Sequence, residues 1–226
     1  MKVLLVAATS AEVQPIVDRL SGLNPIPSPR TQFHHRHHQI DVLVTGVGMV
    51  ATAVWCAKTF AETRPDLALN VGVCGSFNPA YPPGTVVHVV SERLPELGAE
   101  DGEGFLTIQD LGLLGADAPP FRAGRLVNSA PPAIPALTRL PQAHGITVNT
   151  AHGHEPSIRR IVERWSPDIE SMEGAAFMYA CLTAGVPFAQ VRAVSNRVER
   201  RDRGSWKVAE AIASLTDVTM LLAGDL

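Results

Sequence analysis

The sequence is poor in aromatic residues and in net charge, and each shortage excludes a class of function. Aromatic residues make up 5% of the 226 positions, too few to suggest the stacking surfaces that bind single-stranded nucleic acid. The net charge of −3 offers little electrostatic attraction for nucleic acid or for a membrane surface. No apolar run approaches the length of a membrane span. A small molecule is therefore the expected partner, with no nucleic acid and no membrane.

Cysteine is also scarce, and the three present, Cys56, Cys74 and Cys181, lie far apart in apolar surroundings. Without a C-x-x-C pair or a disulfide framework, we predict buried free thiols, which fit a cytoplasmic protein. The N-terminal apolar run is short and Glu12 follows it closely. We interpret it as the first core strand rather than as a secretory signal.

Hydrophobic residues make up 46% of the chain, enough for a substantial core in a single domain spanning residues 1–226. Apolar strands alternate with helices, which predicts an α/β fold with a mainly parallel sheet. A hairpin with its turn near Gln39 would make that sheet mixed. Strands are expected at residues 3–8, 31–38, 40–45, 66–72, 85–91, 125–128, 146–151 and 188–194. Helices are expected at residues 9–20, 49–62, 132–140, 156–165, 170–185 and 205–222. Residues 95–122 are predicted to be irregular, as is a loop containing Pro25, Pro27 and Pro29.

The stretch from Asp168 to Asn196 is the most informative part of the chain. An acidic turn, from Glu170 to Glu173, opens an apolar helix, and an apolar strand then ends on Ser195 and Asn196. Ligands of open α/β sheets bind at the carboxyl ends of strands. We therefore predict that Glu173 and Asn196 face one small-molecule pocket, and we interpret Asp168 and Glu170 as solvated or capping residues.

Two of the candidate carboxylates have simpler explanations that stay open. Glu12 follows the first strand, where active-site groups often lie, but Thr9-x-x-Glu12 also fits a capping box in which the carboxylate only bonds the helix N-terminus. Glu173 occupies a helix start, where the helix dipole alone favours a negative charge.

Two other sequence patterns are weaker indications of a binding site. Gly46-x-Gly48 follows a strand and opens a helix, as in dinucleotide-binding proteins, but no acidic residue ends the next strand. Tight packing or close approach of the backbone to a small ligand explains these glycines better. The histidines within residues 34–38 alternate between two faces of a strand, so we predict a solvated hairpin tip and no metal site.

The order and spacing of several motifs resemble the nucleoside phosphorylase/nucleosidase superfamily, specifically its hydrolase branch. The resemblance covers nearly the whole chain. Its motifs are Glu12, T-G-V-G-M-V-A (45–51), N-V-G-V-C-G-S (70–76), S-M-E-G-A-A (171–176) and V-R-A-V-S-N (191–196). Residues 92–105 and 195–206 are similar to segments of the futalosine hydrolases, which cleave futalosine to hypoxanthine and dehypoxanthine futalosine in menaquinone biosynthesis. The resemblance implies a three-layer α/β/α sandwich around a mixed, mainly parallel sheet.

The resemblance also implies roles for individual residues. Glu12 matches the general base that activates water, Glu173 the carboxylate that holds the ribose hydroxyls, and Met172 the side chain packed on the sugar. The backbone at Val73 and Gly75 matches the water or anion subsite. His152 resembles the position that stacks on the purine, and Trp206 is a candidate for the far end of the substrate, together with Arg197, Arg200, Arg201 or Arg203. Neither a metal nor an organic cofactor is implied, and the family usually forms homodimers.

Two asparagines narrow the expected reaction. Phosphorylases of the family carry an arginine where this chain has Asn70, so the resemblance favours water over phosphate as the nucleophile. Nucleosidases acting on adenine nucleosides have an aspartate where this chain has Asn196. An amide can donate hydrogen bonds to N7 and O6 of a 6-oxopurine, which favours hypoxanthine, but it cannot supply a proton to the leaving base. The alternatives are a methylthioadenosine/S-adenosylhomocysteine nucleosidase, a purine nucleoside phosphorylase, or a nucleoside-binding protein without catalysis.

Overall fold

Strands and helices alternate along the chain in the computed structural model, which describes residues 1–21 and 30–226. The proline-rich loop predicted around Pro25, Pro27 and Pro29 lies outside these residues. The strands are β1 (Lys2–Ala7), β2 (Arg30–His35), β3 (His38–Val44), β4 (Leu67–Ser76), β5 (Val86–Arg93), β6 (Gly98–Asp101), β7 (Gly104–Thr107), β8 (Leu126–Val127), β9 (Gln142–Thr147), β10 (Ile169–Ser171) and β11 (Phe188–Arg197). The helices are α1 (Ser10–Ser21), α2 (Met49–Thr63), α3 (Pro135–Thr138), α4 (Glu155–Trp165), α5 (Gly174–Ala184) and α6 (Val208–Gly224).

The main sheet has the strand order β10-β9-β5-β11-β4-β1-β3-β2. Strands β3, β1, β4 and β11 run parallel to one another, whereas β2 and β5 are antiparallel to their neighbours β3 and β11. Strand β10 pairs with β9 and also with β4, which closes one half of the sheet on itself. The expected mixed sheet is confirmed.

Alternate residues of the central strands pack into two separate cores. Val3 and Leu5 of β1 face one core with helices α1 and α6, while Leu4 and Val6 face the other with α2 and α5. Successive side chains of a strand point to opposite faces, so a strand covered by helices on both sides is apolar throughout. The expected three-layer α/β/α arrangement is therefore confirmed.

The structure corrects several predicted elements. The β2–β3 turn falls on Arg36 and His37 rather than near Gln39, because Arg36 adopts a positive φ of 53° that reverses the chain there. The predicted irregular segment contains the separate β6–β7 hairpin. The predicted helix at 132–140 shortens to the four residues of α3, and β9 precedes most of the strand predicted at 146–151. Within the described ranges, no helix combines the length and apolarity needed to cross a membrane.

The stretch around the predicted site also differs in detail. Residues 169–171 form the short strand β10 where an acidic helix start was predicted, and α5 begins only at Gly174. Strand β11 continues through Asn196 to Arg197, with an irregularity in its pairing at Ser195. The predicted free thiols Cys56, Cys74 and Cys181 are confirmed as buried and unpaired.

Candidate active site

A cavity of about 300 Å³ lies at the carboxyl ends of β1, β4 and β11, where parallel sheets place their ligands. It collects residues from the first helix, the middle of the sheet and the C-terminal third of the chain. All eight residues that the sequence predicts for the site line it: Glu12, Val73, Gly75, His152, Met172, Glu173, Asn196 and Trp206. The structure thus brings these eight residues together around one cavity, whereas their chemical roles stay predictions.

Helix α1 places the buried side chain of Glu12 against the end of β4. Its Oε2 accepts hydrogen bonds from the backbone N–H and the hydroxyl of Thr9, both at 2.9 Å. Its Oε1 accepts from the backbone N–H of Val73 at 3.1 Å. The interaction with Thr9 resembles a capping box, and the one with Val73 holds the carboxylate at the cavity. The two interpretations of Glu12 are therefore compatible.

Glu173 precedes α5, but its side chain makes no capping hydrogen bond with that helix. Its Oε1 instead accepts from the backbone N–H of Gly48 at 3.1 Å. Gly48 and Gly46 have φ values of 98° and 87°, a region that glycine adopts readily. The glycine turn that resembles a dinucleotide motif thus presents a backbone N–H to a buried carboxylate.

Arg192 is a site residue that the sequence analysis missed. Its guanidinium is 0% exposed, its Nη2 donates to Asn70 Oδ1 at 2.5 Å, and its Nη1 lies 3.9 Å from Glu173 Oε2. Among the described residues, Nε and Nη1 have no hydrogen-bond partner. A charge inside an apolar strand is costly unless it is paired, so Arg192 within V-R-A-V was itself a signal.

Asn70, which stands where phosphorylases of the family carry an arginine, contacts Arg192 inside the sheet. It is buried in β4 beneath the cavity, where Nδ2 donates to the carbonyl of Val6 at 3.0 Å and Oδ1 accepts from Arg192. Gly72 follows two residues later, and because it has no side chain it leaves space for the guanidinium of Arg192. A side chain there would collide with Arg192 Nη1 and would lie 2.9 Å from Glu12 Oε1. Asn70 therefore positions a cation next to the two carboxylates.

Glu92, which the sequence analysis also missed, supports the start of α5. Its carboxyl accepts from Gln190 Nε2 at 2.8 Å and from Thr147 Oγ1 at 3.0 Å. Thr147 Oγ1 in turn accepts from the backbone N–H of Ala175 at 2.7 Å, and a side chain at Gly174 would collide with Glu92. Burial raises the pKa of Glu92 to about 7. This buried network fixes the helix start that carries Glu173.

The amide of Asn196 lines the same cavity and is half-buried. Its Oδ1 accepts from Ser195 Oγ at 2.8 Å, and its Nδ2 donates to the carbonyl of Arg197 at 2.8 Å. These contacts orient the amide so that oxygen and nitrogen are distinguished. Of the two N–H bonds of Nδ2, one is used inside the protein and the other is left for a ligand.

His152 is paired with Glu170, contrary to the expectation that Glu170 is solvated or capping. Glu170 is buried because β10 lies between β9 and β4 in the sheet. His152 Nδ1 lies 2.6 Å from Glu170 Oε2, and the backbone N–H of His152 donates to Oε1 at 3.0 Å. The carboxylate of Asp168 is also hydrogen-bonded within the protein: it accepts from Asn78 Nδ2 and from the backbone N–H of His144, both at 2.8 Å.

The loop after β11 contributes Trp206 to the cavity wall. The guanidinium of Arg201, one of the four candidate arginines, stacks 5.0 Å from the centre of the Trp206 ring. The backbone N–H of Arg201 donates to the carbonyl of Gly153 at 3.4 Å, which draws the basic loop towards the segment that carries His152. A cation and an apolar ring are thus adjacent at this rim of the cavity.

The comparisons agree with this fold and geometry. The family model of the phosphorylase superfamily matches residues 2–224. The futalosine hydrolase of Streptomyces coelicolor is 32% identical over 92% of this chain and 91% of its own length. The 5'-methylthioadenosine/S-adenosylhomocysteine nucleosidase of Chromohalobacter salexigens is 26% identical over 86% of this chain and 84% of its own. The native structure of the Helicobacter pylori futalosine hydrolase shares the fold, with a TM-score of 0.83 at 14% identity, covering 100% of this chain and 98% of the other. The chain belongs to the phosphorylase superfamily and, within it, to the group of the futalosine hydrolases.

Proposed function

We propose that this protein is an N-ribosyl hydrolase that cleaves futalosine to hypoxanthine and dehypoxanthine futalosine. One observation carries the proposal: two buried carboxylates, Glu12 and Glu173, and the neutral amide of Asn196 line the same cavity. Cleavage of a ribosyl bond passes through an oxocarbenium-like state. The reaction therefore needs an activated water, a stabilised sugar cation and a stabilised leaving base.

The two carboxylates serve the sugar in this proposal. Glu12 takes a proton from water while the water oxygen bonds to C1′. Glu173 accepts hydrogen bonds from the ribose hydroxyls, and its negative charge stabilises the cation that develops on the ring. Met172, which also lines the cavity, packs against the sugar. Since a carboxylate activates the water, the reaction needs neither a metal nor an organic cofactor.

The charges near Arg192 support water rather than phosphate as the nucleophile. Arg192 is a cation beside the expected phosphate subsite, so the absence of an arginine at position 70 is not by itself decisive. Its Nη1, however, is 3.9 Å from Glu173 Oε2, and it lies with Glu12 Oε1 around the Cα of Gly72, on the side where a side chain would stand. Two carboxylates around one guanidinium leave a net negative charge. Such a charge repels a phosphate dianion but accepts a neutral water molecule.

Asn196 supports the choice of base. Its remaining N–H can donate to one of the two acceptors, N7 and O6, on that edge of a 6-oxopurine. Adenine presents an amino group in place of O6, and this donor would face another donor. The contacts of Asn196 with Ser195 and Arg197 hold the amide in the orientation that favours the oxo base.

The far end of futalosine carries an aryl carboxylate, and the rim of the cavity offers a matching pair of groups. The Trp206 ring provides an apolar surface, and Arg201 stacked on it provides a positive charge. We propose that this pair binds the aryl carboxylate end of the substrate.

We further propose a homodimer that pairs through the outer faces of α2 and α5. Val50 and Val54 of α2 are 78% and 59% exposed, and Val50 borders an apolar groove of about 690 Å³ between the two helices. Large exposed apolar surfaces of this kind mark protein–protein interfaces. Sedimentation velocity should show a dimer for the wild type and a monomer for Val54→Glu, whereas a wild-type monomer would contradict the proposal.

The buried free thiols support a cytoplasmic location.

A substrate panel tests the proposed function. Futalosine, inosine, methylthioadenosine and S-adenosylhomocysteine are incubated with and without phosphate, and the released bases and sugars are separated by chromatography. We expect hypoxanthine and a free sugar, at a rate independent of phosphate, and a higher KM for inosine because it lacks the aryl carboxylate. The Arg201→Gln variant should narrow the difference between these two KM values. Faster release of adenine would favour the methylthioadenosine nucleosidase, and a sugar 1-phosphate would indicate a phosphorylase.

A further inference from the structure

The leaving base needs a proton that neither Glu12 nor Asn196 can supply. When the bond between C1′ and N9 breaks, its electron pair moves onto the purine, and hypoxanthine departs as a neutral molecule only if it gains a proton. Glu12 has the opposite task, since it removes a proton from water. Asn196 can donate a hydrogen bond but cannot transfer its proton.

His152 is a titratable side chain in the cavity wall whose ring is held in a defined orientation. A buried carboxylate accepts hydrogen bonds only, so the 2.6 Å contact between Nδ1 and Glu170 Oε2 places a hydrogen on Nδ1. The backbone N–H of His152 also donates to Glu170 Oε1 at 3.0 Å, and this second hydrogen bond holds the two residues in the same relative position. The proton that the ring exchanges is therefore on Nε2, the nitrogen that remains for a ligand.

Gly75 brings this pair close to Asn196. In the sheet, Gly75 of β4 pairs with Glu170 of β10 on one side and with Asn196 of β11 on the other. A Cβ atom at Gly75 would lie 3.4 Å from Asn196 Nδ2 and 3.5 Å from Glu170 Cγ. The same Cβ atom would lie 2.8 Å from Val198 Cγ2, so only a glycine lets the amide and Glu170 approach each other at this position. His152 and Asn196 both line the cavity, and a 6-oxopurine has two acceptors, N7 and O6, on one edge.

We propose that His152 is the general acid that protonates the departing base, and that Glu170 is the residue that positions it. This inference rests on the proposed function. As the C1′–N9 bond breaks, the proton on Nε2 passes to N7 of the purine, while Glu12 takes a proton from the water whose oxygen bonds to C1′. The neutral imidazole then regains a proton from solvent and Glu12 releases one, so that the balance of the reaction is one water consumed.

A purely stacking role for His152 does not explain why the buried position 170 carries a carboxylate. An apolar wall needs no carboxylate, and a buried carboxylate is costly unless it is paired and hydrogen-bonded. Phe77, whose ring meets His152 edge-on with centroids 6.2 Å apart, already provides an aromatic contact on one side. A carboxylate that orients a histidine so that the other ring nitrogen exchanges the proton is the arrangement used in acid–base catalysis.

The dependence of the rate on the leaving group tests this role. 4-Nitrophenyl riboside presents the same sugar bond, but its leaving phenolate departs without a proton. We expect His152→Gln to lower kcat/KM for inosine about 100-fold or more and to leave that for the nitrophenyl riboside nearly unchanged. Glu170→Gln should produce the same split at about tenfold, since it removes one charge-assisted hydrogen bond. His154→Gln is the matched control, because His154 is exposed two residues away and should change neither rate.

The outcomes separate this inference from the proposed function. Equal losses on both substrates would show that His152 has a structural role, and an unchanged inosine rate would show that it is not the acid. Either result overturns the inference while leaving the hydrolase intact, whereas a wild type inactive on futalosine and inosine overturns both. As a second readout, added imidazole should restore inosine cleavage to His152→Ala, and failure of this rescue would also count against a proton-transfer role.

Discussion

The proposed sugar end of the cavity, around Glu12 and Glu173, is built differently from the proposed base end, around Asn196 and His152. At the sugar end, Glu12 and Glu173 are buried, each is held by a backbone N–H, and Arg192 lies beneath them. At the base end, Asn196 and His152 are only half-buried and their partners are mainly side chains and neighbouring peptide groups. We infer that activation of the water and stabilisation of the sugar depend on a fixed electrostatic arrangement, while the choice and the protonation of the base depend on a few replaceable side chains.

Removing the carboxylate of Glu12 should have the largest effect. An amide in Glu12→Gln cannot take a proton from water, so we expect kcat to fall by about 10³-fold, within the range measured for general bases. Binding of hypoxanthine at the other end should be retained. Asp18→Asn, which alters an exposed carboxylate on the same helix, is the control for steady-state kinetics. A variant with wild-type kcat would exclude Glu12 as the base.

Glu92 provides the next largest effect and tests whether the support of the sugar end depends on buried electrostatics. Its pKa is raised from 4.5 to about 7 by burial, so between these pH values the folded protein holds a proton that the unfolded chain has lost. Stability from this group is therefore present at low pH and is lost as pH rises towards 7. The loss amounts to about 3 kcal/mol in the free energy of unfolding.

The Glu92→Gln variant removes this titration. Among the described residues, Gln190 Oε1 has no hydrogen-bond partner, so a rotated Gln190 amide can accept from the new amide at position 92. Urea unfolding between pH 4 and pH 8 should show the variant gaining about 3 kcal/mol relative to the wild type as pH rises. Glu100→Gln, at an exposed position, should follow the wild type. Parallel curves for Glu92→Gln would contradict a raised pKa.

The central strands were predictable because burial on both faces leaves continuous apolar runs, as in β1 and β11. Strand β10 was not predictable, since its residue Glu170 is an unfavourable strand residue whose burial depends on His152, 18 positions away. The β6–β7 hairpin was missed because Gly98, Gly102 and Gly104 indicate irregular backbone, although Gly102 takes a positive φ of 58° within the turn. Local pattern thus failed where tertiary contacts decided the structure.

The site, like the fold, combines residues that could be predicted from the sequence with residues that could not. Glu12, Glu173 and Asn196 lie at the ends of recognisable elements, so their approach to one another could be predicted from the direction of the strands. Arg192 and Glu92 lie inside strands, and their contacts cross between distant parts of the chain: Asn70 for the first, Thr147 and Gln190 for the second. Sequence alone reports that such charges are present but not which partners they meet.

The comparison between the two ends is tested most directly by Asn196→Asp. Inosine and adenosine share their sugar and differ at position 6 of the base, so the ratio of their kcat/KM values isolates the base end. We expect the wild type to favour inosine, and we expect the variant to shift the ratio towards adenosine by about tenfold to 100-fold, the value of one charge-assisted hydrogen bond. A ratio that does not move would contradict the assignment of base selection to Asn196.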